Sequence, residues 1–228
     1  MDFRNLGALA VSYVYVFGLL LGAEALRKRF GLGGDFTRKA VHIGVGMWSV
    51  ATLLLFTSWK WGIVPPLTFV VINYLSYRYE IFKAIESTER ANLGTVFFPL
   101  SFAILLGLLW RPGSPDDAGP IAVSGLMALT WGDALASIMG RRYGTRPYRF
   151  FGHARTMEGS LAMFIASSIS IALTLYFLAG RELHQSIALA MIGATVAAGV
   201  EAVSLYGSDN LSVPLATAGI LYLLTRVA

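Results

Sequence analysis

Apolar and charged residues are segregated along this chain into long blocks. No Asp, Glu, Lys or Arg occurs in 5–23, 40–59, 61–77, 91–110, 118–132, 159–180, 183–200 or 210–225. A helix needs roughly 20 apolar residues to cross a hydrocarbon core, and these runs approach that length. The shorter ones extend by taking in a terminal ionisable residue, as 120–140 takes in Asp133. The pattern predicts about eight spans, at 6–27, 41–57, 61–78, 94–110, 120–140, 157–179, 185–205 and 212–227. A closed β-barrel would instead show alternating segments of about 10 residues. Alternating stretches such as 165–173 lie inside apolar blocks far too long for that. The expected fold is all-α: one polytopic membrane helical bundle over 1–228.

Composition agrees with this reading. Only 14% of the 228 residues are charged, where a soluble domain carries about 25%. With the N-terminus outside, thirteen of the 18 Lys and Arg residues fall in inner loops and five in outer loops. That bias sets orientation and absorbs the net charge of +5 without a nucleic-acid partner. The cluster Arg27-Lys28-Arg29 follows the first apolar run instead of preceding it, the reverse of a cleavable signal. With no cysteine in the chain, disulfides and thiolate metal sites are excluded.

The unusual polar residues gather on the inner face. Arg38, Lys39 and His42 open the second span, and Asn92 and Thr95 open the fourth. Asp133 lies near the inner end of the fifth, followed by Ser137, Gly140 and Arg141. Arg155, Thr156, Glu158 and Gly159 open the sixth, Glu201 closes the seventh, and Asp209-Asn210 follows. Asp133, Ala136, Ser137 and Gly140 fall at i, i+3, i+4 and i+7, so they share one helix face. That small, polar face suits either close helix packing or the lining of a pocket. Thr156 is a candidate N-cap, and a helix N-terminus beside Arg155 favours an anion. Glu158 in the same turn would repel a phosphate unless a divalent cation lay between them; Mg2+ is commonly held by one or two carboxylates plus substrate phosphates.

Each residue also has a structural reading. The acids can form interhelical ion pairs with nearby arginines, and His42 can be a structural hydrogen-bonder. Asn92 and Thr95 can cap the fourth span, and Asp209-Asn210 can be a turn.

Taken together the motifs resemble the CTP-dependent lipid alcohol kinases, a family that includes phytol kinase, dolichol kinase and the CTP-using diacylglycerol kinase. The resemblance covers roughly 38–215. It rests on Arg38-Lys39-x-x-His42, Asn92-x-Gly94-Thr95 with Phe98-Pro99, and Gly132-Asp133-x-x-Ala136-Ser137-x-x-Gly140. It continues through Arg155-Thr156-x-Glu158-Gly159-Ser160-x-Ala162 to Glu201 and Asp209-Asn210-Leu211-x-Val213-Pro214. The small size and the Asp-Asn-Leu-x-Val-Pro ending look nearest to phytol kinase. Arg155 stands where the family usually carries lysine; it keeps the charge and changes the geometry.

The resemblance implies transfer of the γ-phosphate of CTP, with Mg2+, to the hydroxyl of an isoprenoid alcohol or related lipid. The site would face the cytoplasm, in a prokaryotic cytoplasmic membrane. Asp133 would bind metal or accept the hydroxyl proton, with His42 and Asp209 as further candidates for the base. Glu158 and Glu201 would be further metal-site acids. Arg38, Lys39, Asn92, Thr95, Ser137, Gly140, Arg141, Arg155, Thr156, Glu158, Gly159 and Asn210 would contact the nucleotide. The main rival is a lipid cytidylyltransferase, whose Asp-x-x-Ala to Thr-x-Glu-Gly stretch is similar to residues 133–159. That family ends in a late acidic signature, and here no acid follows Asp209. A small transporter would place its acids near the midplane, not at one face.

Overall fold

The computed structural model describes residues 2–79, 93–150 and 153–227. Among these residues the element order is α1 (Phe3–Phe30), α2 (Gly34–Leu55), the single turn α3 (Trp59–Gly62), α4 (Val64–Tyr79) and α5 (Gly94–Leu109). There follow α6 (Gly119–Tyr143), the strands β1 (Pro147–Phe150) and β2 (His153–Thr156), α7 (Met157–Ala179), α8 (Leu183–Val203) and α9 (Asp209–Val227). Each expected span overlaps a helix, and 61–78 is divided between the end of α3 and α4 at Ile63. By length and composition four of the described helices, α1, α6, α7 and α8, are able to cross a membrane. The apolar α5 has 16 residues, about 24 Å at 1.5 Å per residue, short of the roughly 30 Å core.

The chain divides into two compact units, Met1–Asp117 and Ala118–Ala228. In the first, Asp2 caps α1 by accepting from the Asn5 backbone N–H at 3.3 Å, which holds the Asp2 carboxyl below the ordinary carboxylate range. Gly31, at φ 62°, ends α1 in the left-handed conformation that glycine adopts without a Cβ penalty. Val16, Leu20, Ala23, Val41 and Phe69 form a buried core from α1, α2 and α4. Polar atoms there are paired across helices: the Tyr15 hydroxyl donates to the Gly44 carbonyl at 2.9 Å, and Trp48 Nε1 donates to Ser12 at 3.2 Å.

The second unit is built around α6, whose residues are continuously buried from Ile121 to Thr130. A helix that is apolar on every side must be enclosed, and α7, α8 and α9 enclose this one. Small residues allow the close approach. A Cβ at Gly125 would lie 2.5 Å from the Pro214 carbonyl oxygen and 2.9 Å from Ala218 Cβ on α9. On the α7 side, Ser167 and Ser170 donate to the carbonyls of Ala128 and Met127 at 3.0 and 3.1 Å. Such interhelical bonds average about 0.6 kcal/mol in membrane proteins.

Residues 141–156, which the expected spans leave as a connection, depart from the all-α expectation. Their second half is an antiparallel hairpin in which Tyr148 pairs with Arg155 and Pro147 with Thr156. One further ladder bond, from the Met157 N–H to the Arg146 carbonyl at 3.0 Å, joins the hairpin to the first residue of α7. The hairpin is therefore a direct extension of that helix.

Candidate active site

In the second unit the expected polar face of α6 has two parts. Ala136 and Gly140 pack against the start of α7: a Cβ at Gly140 would lie 2.9 Å from Thr156 Oγ1, and one at Gly159 would lie 3.1 Å from the Ala136 carbonyl. This end of the face is a packing seam. Asp133 and Ser137 are only partly buried. Arg141, one turn beyond Ser137, donates to the Ser137 hydroxyl at 2.9 Å, a local pairing of the i, i+4 kind.

Thr156 caps α7 as its sequence position suggested, accepting from the Gly159 N–H at 3.1 Å. The Met157 N–H is engaged with Arg146, so two first-turn donors that an anion would use are already taken. Glu158 is engaged as well. The Thr145 hydroxyl donates to its Oε1 at 2.7 Å, and the Arg146 N–H donates to its Oε2 at 3.3 Å. Tyr148 and Ser160 share a hydroxyl–hydroxyl bond of 2.6 Å. These contacts clamp the hairpin base to α7. Thr145 and Tyr148 had no role in the sequence reading, and Ser160 entered only as a motif letter, because their partners come together only when the hairpin folds back.

The hairpin presents Arg155 to two acids. Its Nη1 lies 3.0 Å from Glu201 Oε1, at the end of α8, and its Nη2 lies 3.6 Å from Asp209 Oδ2, at the start of α9. The Glu201 side chain is 4% exposed, that of Asp209 11% and that of Arg155 30%. The turn between α8 and α9 brings the acids together. Tyr206 and Gly207 take positive φ, at 51° and 81°, and the Leu205 N–H bonds to the Ser208 hydroxyl at 3.1 Å. Asp209 Oδ1 accepts from both the backbone N–H and the side-chain amide of Asn210 at 2.9 Å, while Oδ2 is the oxygen turned to Arg155. Asp209-Asn210 is thus not itself the turn, which falls at 206–208; it opens α9 and supplies half of an ion-pair site. Of the two readings of Glu201, the ion pair is the one the geometry displays. Asp133, Glu158 and Glu201 are not gathered into a three-residue metal-ligand group, and no such group of His, Cys, Asp or Glu occurs among the described residues.

The first unit joins two of the sequence motifs. His42 on α2 stacks on Phe98 of α5, with centroids 4.3 Å apart and planes at 28°. Lys39, 8% exposed, is buried on the same helix, one turn before His42. Thr95 is the second residue of α5 and does not cap it. Its carbonyl accepts from the Asn73 amide of α4 at 2.8 Å, a contact signalled in sequence only by a lone amide inside an apolar run. Asn92 lies outside the described residues.

No protein-family model matches the chain, and no solved structure matches it. It is 35% identical to the phytol kinase of Synechocystis sp. over 214 residues, covering 92% of this chain and 88% of that one. Phytol kinase 1, chloroplastic, of Arabidopsis thaliana is 30% identical, covering 94% of this chain and 74% of its own length. The dolichol kinase of Saccharomyces cerevisiae is 30% identical over 159 residues, covering 61% of this chain and 30% of the yeast protein. All three are kinases named for isoprenoid alcohols. The chain belongs to the phytol kinase family.

Proposed function

We propose that this protein transfers the γ-phosphate of CTP to the hydroxyl of an isoprenoid alcohol of the phytol, farnesol or polyprenol kind. The observation that carries this reading is the match to a phytol kinase over nearly the whole of both chains. The alcohol oxygen attacks the γ-phosphorus, the bond to the β-phosphate oxygen breaks, CDP leaves, and the hydroxyl proton passes to a base. Phosphoryl transfer needs positioning and charge stabilisation more than a covalent nucleophile, and the polar residues here supply acids and cations. Asp133, partly buried beside the Ala136–Gly140 seam, is the first candidate for the proton acceptor or for a ligand of Mg2+ carried in with the nucleotide. One carboxylate suffices for that, since Mg2+ takes its remaining ligands from water and phosphates. Arg155 supplies a cation, and the resemblance adds Arg38 and Lys39.

The test incubates the purified full chain with γ-labelled CTP, Mg2+ and a panel of phytol, farnesol, polyprenols and diacylglycerol. Label in an isoprenoid lipid is the expected result. Labelled pyrophosphate with a CDP-lipid would establish a cytidylyltransferase instead.

The proposed topology has eight crossings and an inner loop at 141–156 in a prokaryotic cytoplasmic membrane. Single cysteines replacing the exposed Ser114, before α6, and Arg142, in its last turn, are expected to label from opposite faces of sealed vesicles. Labelling from one face would rule the crossing of α6 out.

A further inference from the structure

We propose that Glu201 is a positioning residue: it acts on the nucleotide by fixing the guanidinium of Arg155, with Asp209 as the second holder, and does not ligate the metal. The inference rests on the reading that Arg155 meets the phosphates of CTP. Its basis is the set of atoms each group has in use. Arg155 lends Nη1 to Glu201 at 3.0 Å and Nη2 to Asp209 at 3.6 Å. Its Nε is buried and has no hydrogen-bond partner among the described residues. A guanidinium is planar with its donors in a rigid fork, so tying two nitrogens to carboxylates on two helices fixes the plane and the direction of the third. The third nitrogen is then aimed at an acceptor that the described residues do not supply. A phosphate oxygen is such an acceptor, and charge-assisted N–H to phosphate bonds are strong and directional.

Burial argues the same way from the side of Glu201. A carboxylate with 4% of its side chain exposed has lost most of its hydration, which a nearby cation offsets. The guanidinium at 3.0 Å is such a cation. The other two acids offered for metal are engaged elsewhere or apart: Glu158 has both oxygens on the hairpin, and Asp133 forms no three-residue metal group with Glu201. An ammonium in place of Arg155 would keep the charge, but it is a point charge on a flexible stem and could not hold two carboxylates while aiming a planar donor.

The experiment uses the full chain in detergent or nanodiscs, with γ-labelled CTP and its best alcohol acceptor. Glu201→Gln is expected to raise the KM for CTP about tenfold or more, corresponding to about 1.4 kcal/mol. The KM for the alcohol and the Mg2+ concentration giving half-maximal rate at saturating CTP are expected to stay at wild-type values. Glu201→Asp, which restores a carboxylate, should recover part of the loss. Glu201→Gln added to Arg155→Ala should cost little beyond Arg155→Ala alone, because residues acting through one another are not additive. A several-fold rise in the Mg2+ requirement, strict additivity, or an unchanged KM for CTP would each overturn the proposal. If Glu201→Gln is not recovered as a monodisperse protein, Arg155→Lys decides: a raised KM for CTP supports the fixed fork, and a wild-type KM overturns it. An active wild-type chain with indifferent variants defeats the positioning role alone, whereas a wild-type chain that transfers nothing from CTP defeats the functional reading beneath it.

Discussion

Asp133→Asn is expected to lower phosphoryl transfer by more than about a hundredfold, a loss of about 2.7 kcal/mol of transition-state stabilisation, while leaving the protein folded. Two observations combine in this expectation. Asp133 shares a helix face with Ala136, Ser137 and Gly140, and the packing end of that face is the Ala136–Gly140 end, where α7 begins. Asp133 itself lies about one turn before Ala136 and is only partly buried, so an isosteric amide should be accommodated without disturbing the seam. What the amide lacks is the charge, and with it the capacity to accept a proton or to neutralise a metal. The checks are turnover with labelled CTP and elution of the detergent-solubilised protein as a single species. Activity within about tenfold of wild type, about 1.4 kcal/mol or less, would mark Asp133 as a packing residue and move the base to His42 or Asp209.

The second large effect is expected on stability. Gly125→Leu should lower the thermal stability of the second unit by about 1–3 kcal/mol or more, the cost of overpacking a well-filled interior. The first added atom alone would stand 2.5 Å from the Pro214 carbonyl oxygen and 3.1 Å from the Ala218 nitrogen. Both are backbone atoms of α9 and cannot rotate away. α9 would have to move off α6, carrying Asp209 with it, so CTP turnover should fall along with the melting temperature. Loss of the monodisperse fraction on stepwise heating measures the effect. A variant as heat-resistant as wild type would show that the α6–α9 contact is soft.

The helices were legible because each is a long apolar run bounded by charge, and that signal needs no knowledge of neighbours. The cap at Thr156 was legible for the same local reason. The hairpin was not: its strands have four residues each, they lie in a polar stretch, and they are held by Glu158 and Ser160 from the following helix. The pairing of Arg155 with Glu201 and Asp209 was foreshadowed only as one alternative for the acids. Charge patterning can assign all three residues to one side of a membrane, but it carries no distance between helices. The stacking of His42 on Phe98 lay hidden for the same reason, although both residues stood inside motifs already singled out.

The cradle of Arg155 also bears on how the protein is made. The arginine leaves the ribosome with β2, but its two carboxylate partners follow roughly fifty residues later, several seconds at about 5–20 residues per second. Until α8 has been inserted and the turn at Tyr206–Gly207 has closed, the guanidinium has neither acid to hold it. Assembly of this part of the site is therefore a late event of biogenesis. A nascent chain halted after α7 would carry the hairpin and its clamp without the carboxylates that orient the arginine.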